Sequence, residues 1–278
     1  MTAAETGRPP HVRGGPVSIF DGGMEAAARF CVDRIRSGDG ARVATANLDF
    51  LAQARADATL RADLSDSTLV VADGAPVAWL GRMVGGERTR RVPGVDLVVE
   101  ICRLGTERRN GSAAPLRVAL YGAEPEVAAE ASAALTQTYP GTGVVLSISP
   151  PFRALSAEEE AEERARVAEA RPELVLVALG CPKQERLIAR YFQEAPQAVW
   201  IGVGGTFDFL AQRKRRAPRV LQRAGLEWAF RLAQEPGRLW RRYVVRDLPA
   251  LIALTPACVR QGARHALARA RGRVPSTR

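Results

Sequence analysis

A single carboxylate, Asp73, follows the apolar run 69–72, whose length and β-branched residues predict a buried strand. The segment 75–84 that comes next has the pattern of a helix. In open parallel α/β sheets, ligands bind just beyond the carboxyl ends of the strands. Asp73 therefore stands where a catalytic or ligand-binding carboxylate would stand. The alternative is that it caps the helix that follows, a common role of aspartate, and the residues alone leave both roles open.

Polar residues also follow three other predicted strands. They are Thr45 and Asn47 at the end of strand 42–46, Lys183, Gln184 and Glu185 after strand 174–179, and Gly204, Gly205 and Asp208 after strand 198–203. A parallel sheet places all these strand ends along one edge. We therefore expect a hydroxyl, two amides and several carboxylates to line one cleft.

The stretch from Gly202 to Asp208 is typical of a glycine loop that approaches a phosphate, because glycines with a bare backbone stand between a strand and a helix start. The stretch lacks the glycine spacing and the later acid of the dinucleotide fingerprint, which disfavours a nicotinamide-dependent oxidoreductase. An ordinary glycine-rich turn is the alternative.

The composition excludes several kinds of site. The only two histidines, His11 and His265, fall outside the predicted core, which disfavours histidine triads and histidine metal sites and leaves a carboxylate as the general base. No Asp-X-Asp occurs, so a common carboxylate clamp for a divalent metal is missing. A bound pyrophosphate would then need arginines such as Arg91 or those in 213–216. The four cysteines lack metal-ligand spacing and suit a reducing cytoplasm.

The positive charge is concentrated in the last quarter of the chain. Residues 213–278 carry 17 Lys and Arg against 3 Asp and Glu, a net of +14, while residues 1–212 carry 23 against 27, a net of −4. The partner of the basic segment should be polyanionic: a phosphate-rich ligand, a nucleic acid or an anionic membrane. Its arginines alternate with aromatic residues such as Trp228 and Trp240. This pattern fits a helix lying on a membrane and equally a helix packed on the core.

Strand-like and helix-like stretches alternate from residue 17 to residue 203, which predicts an α/β fold: a mostly parallel, Rossmann-like sheet with helices on both faces. The predicted strands are 17–20, 42–46, 68–72, 116–121, 143–147, 174–179 and 198–203. The predicted helices are 22–36, 48–63, 75–84, 95–106, 124–138, 157–170 and 183–193, then 219–235 and 238–271, with breaks at Pro236, Pro249 and Pro256. We expect a disordered leader at 1–16, a catalytic core at 17–212 and a basic helical appendage at 213–278.

Nine motifs stand in one order between about residues 17 and 246. They include Thr45-X-Asn47, Asp73-Gly74, Arg91-Val-Pro-Gly94-Val-Asp96, Tyr121-Gly122, Gly180-X-Pro-Lys-Gln184-Glu185, Gly202 to Asp208, Arg216-Ala-Pro218 and Gly225-Leu-Glu227-Trp228, the last followed by Arg231, Glu235-Pro236, Arg238 and Arg241-Arg242-Tyr243. Together they resemble the WecG/TagA/CpsF glycosyltransferases, which build bacterial surface polysaccharides.

The resemblance implies transfer of a sugar, typically N-acetylmannosamine, from a UDP-sugar to a polyprenyl-pyrophosphate-linked sugar. It implies inversion at the anomeric carbon, no obligatory metal, and a peripheral location on the inner, cytoplasmic face of the plasma membrane. Asp73 matches the general base. Thr45, Asn47 and Gln184 match polar residues of the active site. The matched substrate-binding positions are Arg91, Phe152, Gly202, Gly204, Phe207 and Asp208, and the matched phosphate-binding arginines of the appendage are Arg231, Arg238 and Arg241.

The sequence departs from the family pattern at three places, with Ala72 for proline, Gln212 for glycine, and Pro150-Pro151 in place of Gly-Tyr before Phe152. The residues leave the donor sugar and a homo-oligomeric state open. The runner-up function is a nucleic-acid-binding protein that uses the +14 segment for phosphate contacts. Against it, the arginines alternate with aromatic residues of a buried type, and the polar cleft would have no role.

Overall fold

The computed structural model describes residues 11–14, 17–108 and 114–270. Two short antiparallel strands, β1 (His11–Gly14) and β2 (Val17–Phe20), precede the main sheet. The main sheet contains β3 (Ala41–Ala46), β4 (Leu69–Ala72), β5 (Leu116–Gly122), β6 (Thr142–Ile148), β7 (Leu174–Ala178) and β8 (Val199–Gly202). Its order is β4-β3-β8-β7-β5-β6, and every neighbouring pair is parallel. The predicted α/β class is confirmed.

Helices cover both faces of this sheet because successive strand residues point to opposite sides. The helices of the core are α1 (Met24–Ser37), α2 (Leu48–Ala56), α3 (Ala58–Ser65), α4 (Ala75–Met83), α5 (Gly94–Arg108), α6 (Pro125–Thr138), α7 (Ala157–Ala170), α8 (Lys183–Tyr191) and α9 (Thr206–Leu210). In β7, Leu174 and Leu176 pack with α1, α5 and α6, whereas Val175 and Val177 pack with α7 and α8.

The C-terminal segment is helical and joins the same core. It contains α10 (Arg219–Arg223), α11 (Glu227–Gln234), α12 (Pro236–Arg241), a π-helical stretch (Arg242–Asp247) and α13 (Leu248–Ala270). Leu254 and Cys258 of α13 are buried against the cluster that includes Leu80 and Val84. Across the described ranges, no helix combines the length and the apolar character needed to cross a membrane.

The N-terminal prediction was wrong in part. Residues 11–14, assigned to a disordered leader spanning 1–16, form β1 and pair with β2 in the register His11 to Phe20. The remaining leader residues, 1–10 and 15–16, lie outside the described residues. The strand predicted at 17–20 exists, but it pairs antiparallel with β1 in a separate two-stranded sheet and is not part of the parallel sheet.

Three predicted helices have different limits in the structure. The helix predicted at 48–63 divides at Asp57, whose N–H ends α2 on the Gln53 carbonyl and whose carboxylate caps α3 at the Leu60 N–H. The helix predicted at 219–235 divides into α10 and α11. The break at Pro236 is confirmed, but α13 continues through Pro256. Pro249 lies in the first turn of α13, directly after the π-helical stretch, so the helical run changes type there and does not end.

The entry into β3 supplies a stability test. Gly40 has φ +59°, and a Cβ there would lie 1.9 Å from the Pro196 carbonyl oxygen, whereas Gly38 has φ +70° with nothing within 4 Å of its Cβ position. Both alanine variants carry the strain of a left-handed backbone, roughly 1 kcal/mol, and only Gly40→Ala adds a backbone clash. We expect Gly40→Ala to lower the free energy of unfolding by about 2 kcal/mol more than Gly38→Ala in urea denaturation. Equal losses would show that no such contact constrains β3.

Candidate active site

Asp73 lies at the carboxyl end of β4. Its backbone N–H donates to the Ala46 carbonyl of β3 at 2.9 Å, and its Oδ1 accepts from the N–H of Gly94, the first residue of α5, at 3.1 Å. Helix α4, which follows directly, begins after Gly74 and receives no side-chain cap. The alternative that Asp73 caps the next helix is therefore wrong, and its carboxylate faces the start of α5.

The surroundings of Asp73 suit a general base. Burial raises the pKa of its carboxyl from 3.8 to about 6. The Gly94 N–H and the positive charges of Arg91 and Arg231 lower this pKa, and the negative charge of Glu227 raises it. A carboxylate with a pKa close to neutrality is ionised at pH 7 and is a stronger base than an ordinary aspartate.

The segment before α5 is held against β4 and presents Arg91. The N–H of Val92 donates to the Ala72 carbonyl at 2.8 Å, which extends the pairing at the edge of the sheet. Arg91 then forms an ion pair and hydrogen bond with Glu227, the first residue of α11. Both side chains are largely buried, so this pair links the core directly to the C-terminal segment.

A second arginine meets the same carboxylate. Arg216 lies with its Nε 3.3 Å from the other oxygen of Glu227 and donates two hydrogen bonds to Asp96 of α5, at 2.8 and 3.1 Å. The guanidinium groups of Arg216 and Arg231 lie 5.6 and 5.2 Å from the ring centre of Phe209, within the range of cation–π attraction. The result is a compact group of alternating charges beside Asp73.

Thr45 joins the ends of β3 and β8. Its hydroxyl is buried and donates to the carbonyl of Gly202 at 2.6 Å. Because the only hydroxyl proton serves a backbone carbonyl, Thr45 fixes the separation of these two strand ends in this structure. Gly202, predicted to bind substrate, is itself buried in β8.

Gln184 holds together the loops that follow β7 and β8. Its Oε1 accepts from the N–H groups of Gly180 and Gly204, at 3.2 and 3.0 Å, and its Nε2 donates to Glu185 at 2.8 Å. A Cβ on Gly202 would lie 2.5 Å from this amide nitrogen, so the close approach requires glycine there. Since the Gly204 N–H is bound to Gln184, it is not a free donor for a phosphate.

Asn47 meets the C-terminal segment at the start of α2. Its Oδ1 caps α2 by accepting from the N–H groups of Asp49 and Phe50, at 3.0 and 3.3 Å. Arg242, in the π-helical stretch, donates to the same oxygen at 3.0 Å. The sequence did not identify this contact, which places a further guanidinium at the edge near Asp73-Gly74.

The remaining predicted residues lie in three different settings. Asp208 is 3.6 Å from Lys214, which pairs with Glu235 at 3.3 Å, and Glu235 pairs with Arg238 at 2.6 Å. Arg241 is exposed. Phe207 is buried in the core below the glycine loop.

Phe152 is not brought to this group of residues. It follows β6, at the opposite edge of the sheet from β4, and its side chain is 97% exposed. As for metals, the described part of the chain contains no cluster of three His, Cys, Asp or Glu side chains arranged to hold an ion.

The sequence did not identify Glu227 or Asp96 as parts of the site. Arg91 and Glu227 are 136 positions apart, and Asp96 and Arg216 are 120 positions apart, so neither pair leaves a local pattern. Both acids lie inside motifs that carry the resemblance, and this was the feature of the sequence that could have identified them as site residues.

The comparisons with known proteins point to one family. Residues 12–265 match a family described as "Glycosyl transferase WecG/TagA/CpsF family". Three curated relatives are named N-acetylglucosaminyldiphosphoundecaprenol N-acetyl-beta-D-mannosaminyltransferase. The protein of Bacillus spizizenii is 32% identical and covers 73% of this chain and 74% of its own length. Those of Bacillus subtilis and Staphylococcus aureus are 31% and 27% identical, over 77% and 72% of this chain and 79% and 74% of their own lengths.

The family match spans the sheet, the Asp73 edge and most of the basic helical segment. Three of the motifs that carried the resemblance in the sequence meet at this edge, those that contain Asp73, Arg91 and Glu227. The chain belongs to the WecG/TagA/CpsF family of glycosyl transferases.

Proposed function

We propose that the protein transfers an N-acetylhexosamine, typically N-acetylmannosamine, from a UDP-sugar to a sugar carried on polyprenyl pyrophosphate. The observation that carries the proposal is Asp73, whose carboxyl has a pKa of about 6 and lies near Arg91 and Arg231. The printed names of the curated relatives suggest the transferred sugar and the lipid-linked acceptor. Family membership leaves the nucleic-acid-binding alternative without support.

The proposed reaction is a single displacement with inversion. Asp73 takes the proton of the acceptor hydroxyl as its oxygen attacks the anomeric carbon of the donor. The bond between that carbon and the β-phosphate oxygen breaks, and UDP leaves with the electron pair. Attack from the face opposite the leaving group inverts the anomeric centre.

Arginines stabilise the charge that develops on the leaving diphosphate. Arg91 and Arg231 both act on the charge of Asp73, so a donor placed for attack by the activated hydroxyl lies within their field. Arg242 reaches the same edge through Asn47. Arg238 and Arg241 are more exposed and come into contact with a phosphate only if the substrate extends towards α12. The proposal requires no metal.

The C-terminal segment also provides the proposed surface for an anionic membrane. Leu239, Leu254 and Cys258 are buried against the protein. Other large apolar side chains of the segment are exposed: Val220, Leu226, Trp228, Trp240, Val244, Val245, Leu248, Ile252, Val259 and Leu267. The two interpretations of this segment, core packing and membrane contact, thus apply to different side chains of the same helices. Exposed apolar groups among arginines suit an anionic lipid surface.

Asp73→Asn tests the general base. Turnover should fall roughly 10²-fold or more, because asparagine cannot accept the proton, while UDP affinity changes little. Since the folded-state pKa of Asp73 is raised above 3.8, its charge is disfavoured by folding, so the neutral variant should be no less stable than the wild type at pH 7. The wild-type kcat/KM should fall as the pH drops below about 6.

The matched control is Asp66→Asn, since Asp66 is exposed at the opposite, amino end of β4. Its turnover should equal that of the wild type. Near-normal turnover of Asp73→Asn, measured as UDP release with a lipid-pyrophosphate sugar acceptor, would remove Asp73 from the mechanism.

Gln184→Ala tests the connection between the two loops. The change leaves the N–H groups of Gly180 and Gly204 without their acceptor and should lower the free energy of unfolding by about 1–3 kcal/mol. It should reduce turnover further than the loss of folded protein explains. Gln137→Ala, an exposed glutamine of α6, is the control and should change neither quantity.

Gln184→Glu separates the acceptor from the donor of this amide. It keeps an oxygen for both glycines but places a second carboxyl against Glu185, whose own pKa burial raises to about 7. One shared proton would restore the contact, so activity relative to the wild type should be higher at pH 6 than at pH 8. No difference between these pH values would contradict a role for the Glu185 contact.

The double variant Trp240→Ser, Ile252→Ser tests membrane contact. It should weaken binding to vesicles that contain phosphatidylglycerol, while turnover of a water-soluble acceptor analogue is retained. Binding of the wild type should weaken as salt is raised. Phe152→Ser removes an exposed ring outside the segment and should leave vesicle binding unchanged. Unaltered binding of the double variant would show that these side chains do not contact lipid.

A further inference from the structure

Among the acids in the described residues of the C-terminal segment, Glu227 has a distinct set of contacts. It is buried at the first position of α11, and its two carboxylate oxygens face two different arginines. One is Arg91, from the segment held against β4, and the other is Arg216, from the segment that leads into α10. A single side chain of the C-terminal segment therefore bridges two separate parts of the chain at the Asp73 edge.

The bridge is rigid at both ends. Arg216 is held by two hydrogen bonds to Asp96, in the first turn of α5, and by the face of Phe209. Arg91 is positioned by the backbone bond of Val92 to β4. An arginine has five N–H donors in a planar fork, so a carboxylate that binds one edge leaves the other edges for a second anion.

We propose that Glu227 is a positioning residue for sugar transfer: it holds Arg91 in the orientation that meets the donor diphosphate, fixes the C-terminal segment over the Asp73 edge, and sets the net charge around Asp73. The proposal rests on the proposed function for the identity of the donor. It assigns Glu227 no direct contact with the reacting atoms.

The charge at this edge is balanced by Glu227. The charged groups that face Asp73 are Arg91 from the segment before α5, Arg216 from the segment before α10, and Arg231 and Glu227 from α11, and the N–H of Gly94 donates to it. Three of the four charges are positive. Removing the one negative charge should therefore stabilise the ionised form of Asp73 and make it a weaker base.

Glu227→Gln is the direct test, because it keeps the shape of the side chain and removes the charge. The acidic limb of the kcat/KM profile should move to lower pH, by roughly half a unit to one unit for a charge acting in partly solvated surroundings. The kcat should fall severalfold, because a base with a lower pKa accepts the proton less readily. A purely structural role would lower stability and leave the limb in place.

Glu235→Gln is the matched control. Glu235 also pairs with two cations, Lys214 and Arg238, and it lies one helix further along the same segment. The charges that act most strongly on the pKa of Glu235 are those of Arg238 and Lys214. Its variant should leave the acidic limb in place, and an equal shift of the limb in the two variants would overturn the proposal.

Glu227→Asp distinguishes the effect of the charge from the effect of side-chain length, and it replaces Glu227→Gln as the test if that variant does not fold. The shorter side chain keeps the charge but spans less distance between Arg91 and Arg216, so kcat should fall while the limb stays in place. A folded Glu227→Asp with wild-type kcat would show that the bridge does not position Arg91.

A readout that needs no donor separates this proposal from the proposed function. The carboxyl carbon of Asp73 can be titrated by ¹³C NMR in the wild type and in the Glu227 and Glu235 variants, with Asp73→Asn to assign the signal. The Glu227→Gln midpoint should be lower than the wild-type midpoint, and the Glu235→Gln midpoint should not move. If the wild type fails to release UDP from any UDP-sugar but the midpoint shifts, the donor is wrong and the role of Glu227 stands. An unshifted midpoint overturns it.

Discussion

The arrangement of the Asp73 edge depends on partly buried arginines, each of which needs a carboxylate as its ion-pair partner. An arginine taken out of water without a partner is strongly destabilising. The C-terminal segment has an excess of arginines, and the partly buried ones pair with acids at the carboxyl edge of the sheet: Arg216 with Asp96 and Glu227, and Arg242 with Asp49 and Asp247. Residues 1–212, which carry a net charge of −4, supply two of these four acids, Asp49 and Asp96. Charge compensation therefore fixes where the segment lies.

This constraint brings the base and the cations to the same place. Asp73 lies at the carboxyl end of β4. The charge of Arg231 acts on it from α11, the helix that begins at Glu227. The segment also shares its apolar core with α4 through Leu254 and Cys258. Cutting the chain after residue 212 would therefore expose part of the core, so single substitutions separate its roles more cleanly than truncation does.

Much of the fold could be predicted from the sequence, because each parallel strand is a short apolar run followed by a polar turn. The strand at 17–20 was assigned to the wrong sheet since its partner, β1, has no comparable apolar pattern. The continuity of α13 through Pro256 was missed for another reason: proline lowers the stability of an isolated helix, but packing of Leu254 and Cys258 on the core supports this one.

For the candidate site, the sequence predicted where the residues lie better than it predicted what each of them does. The expectation that four polar strand ends lie along one edge is confirmed, because β4, β3, β8 and β7 are neighbouring parallel strands. It could not assign roles, since those depend on which hydrogen bonds each side chain already makes. Thr45 and Gln184 use their polar atoms to hold strands and loops together. Asp73 uses only Oδ1, which accepts one hydrogen bond from Gly94, and its second carboxylate oxygen remains for a substrate. A polar residue at a strand end is thus a candidate for chemistry only after its structural hydrogen bonds are counted, and by that count Asp73 has the stronger claim.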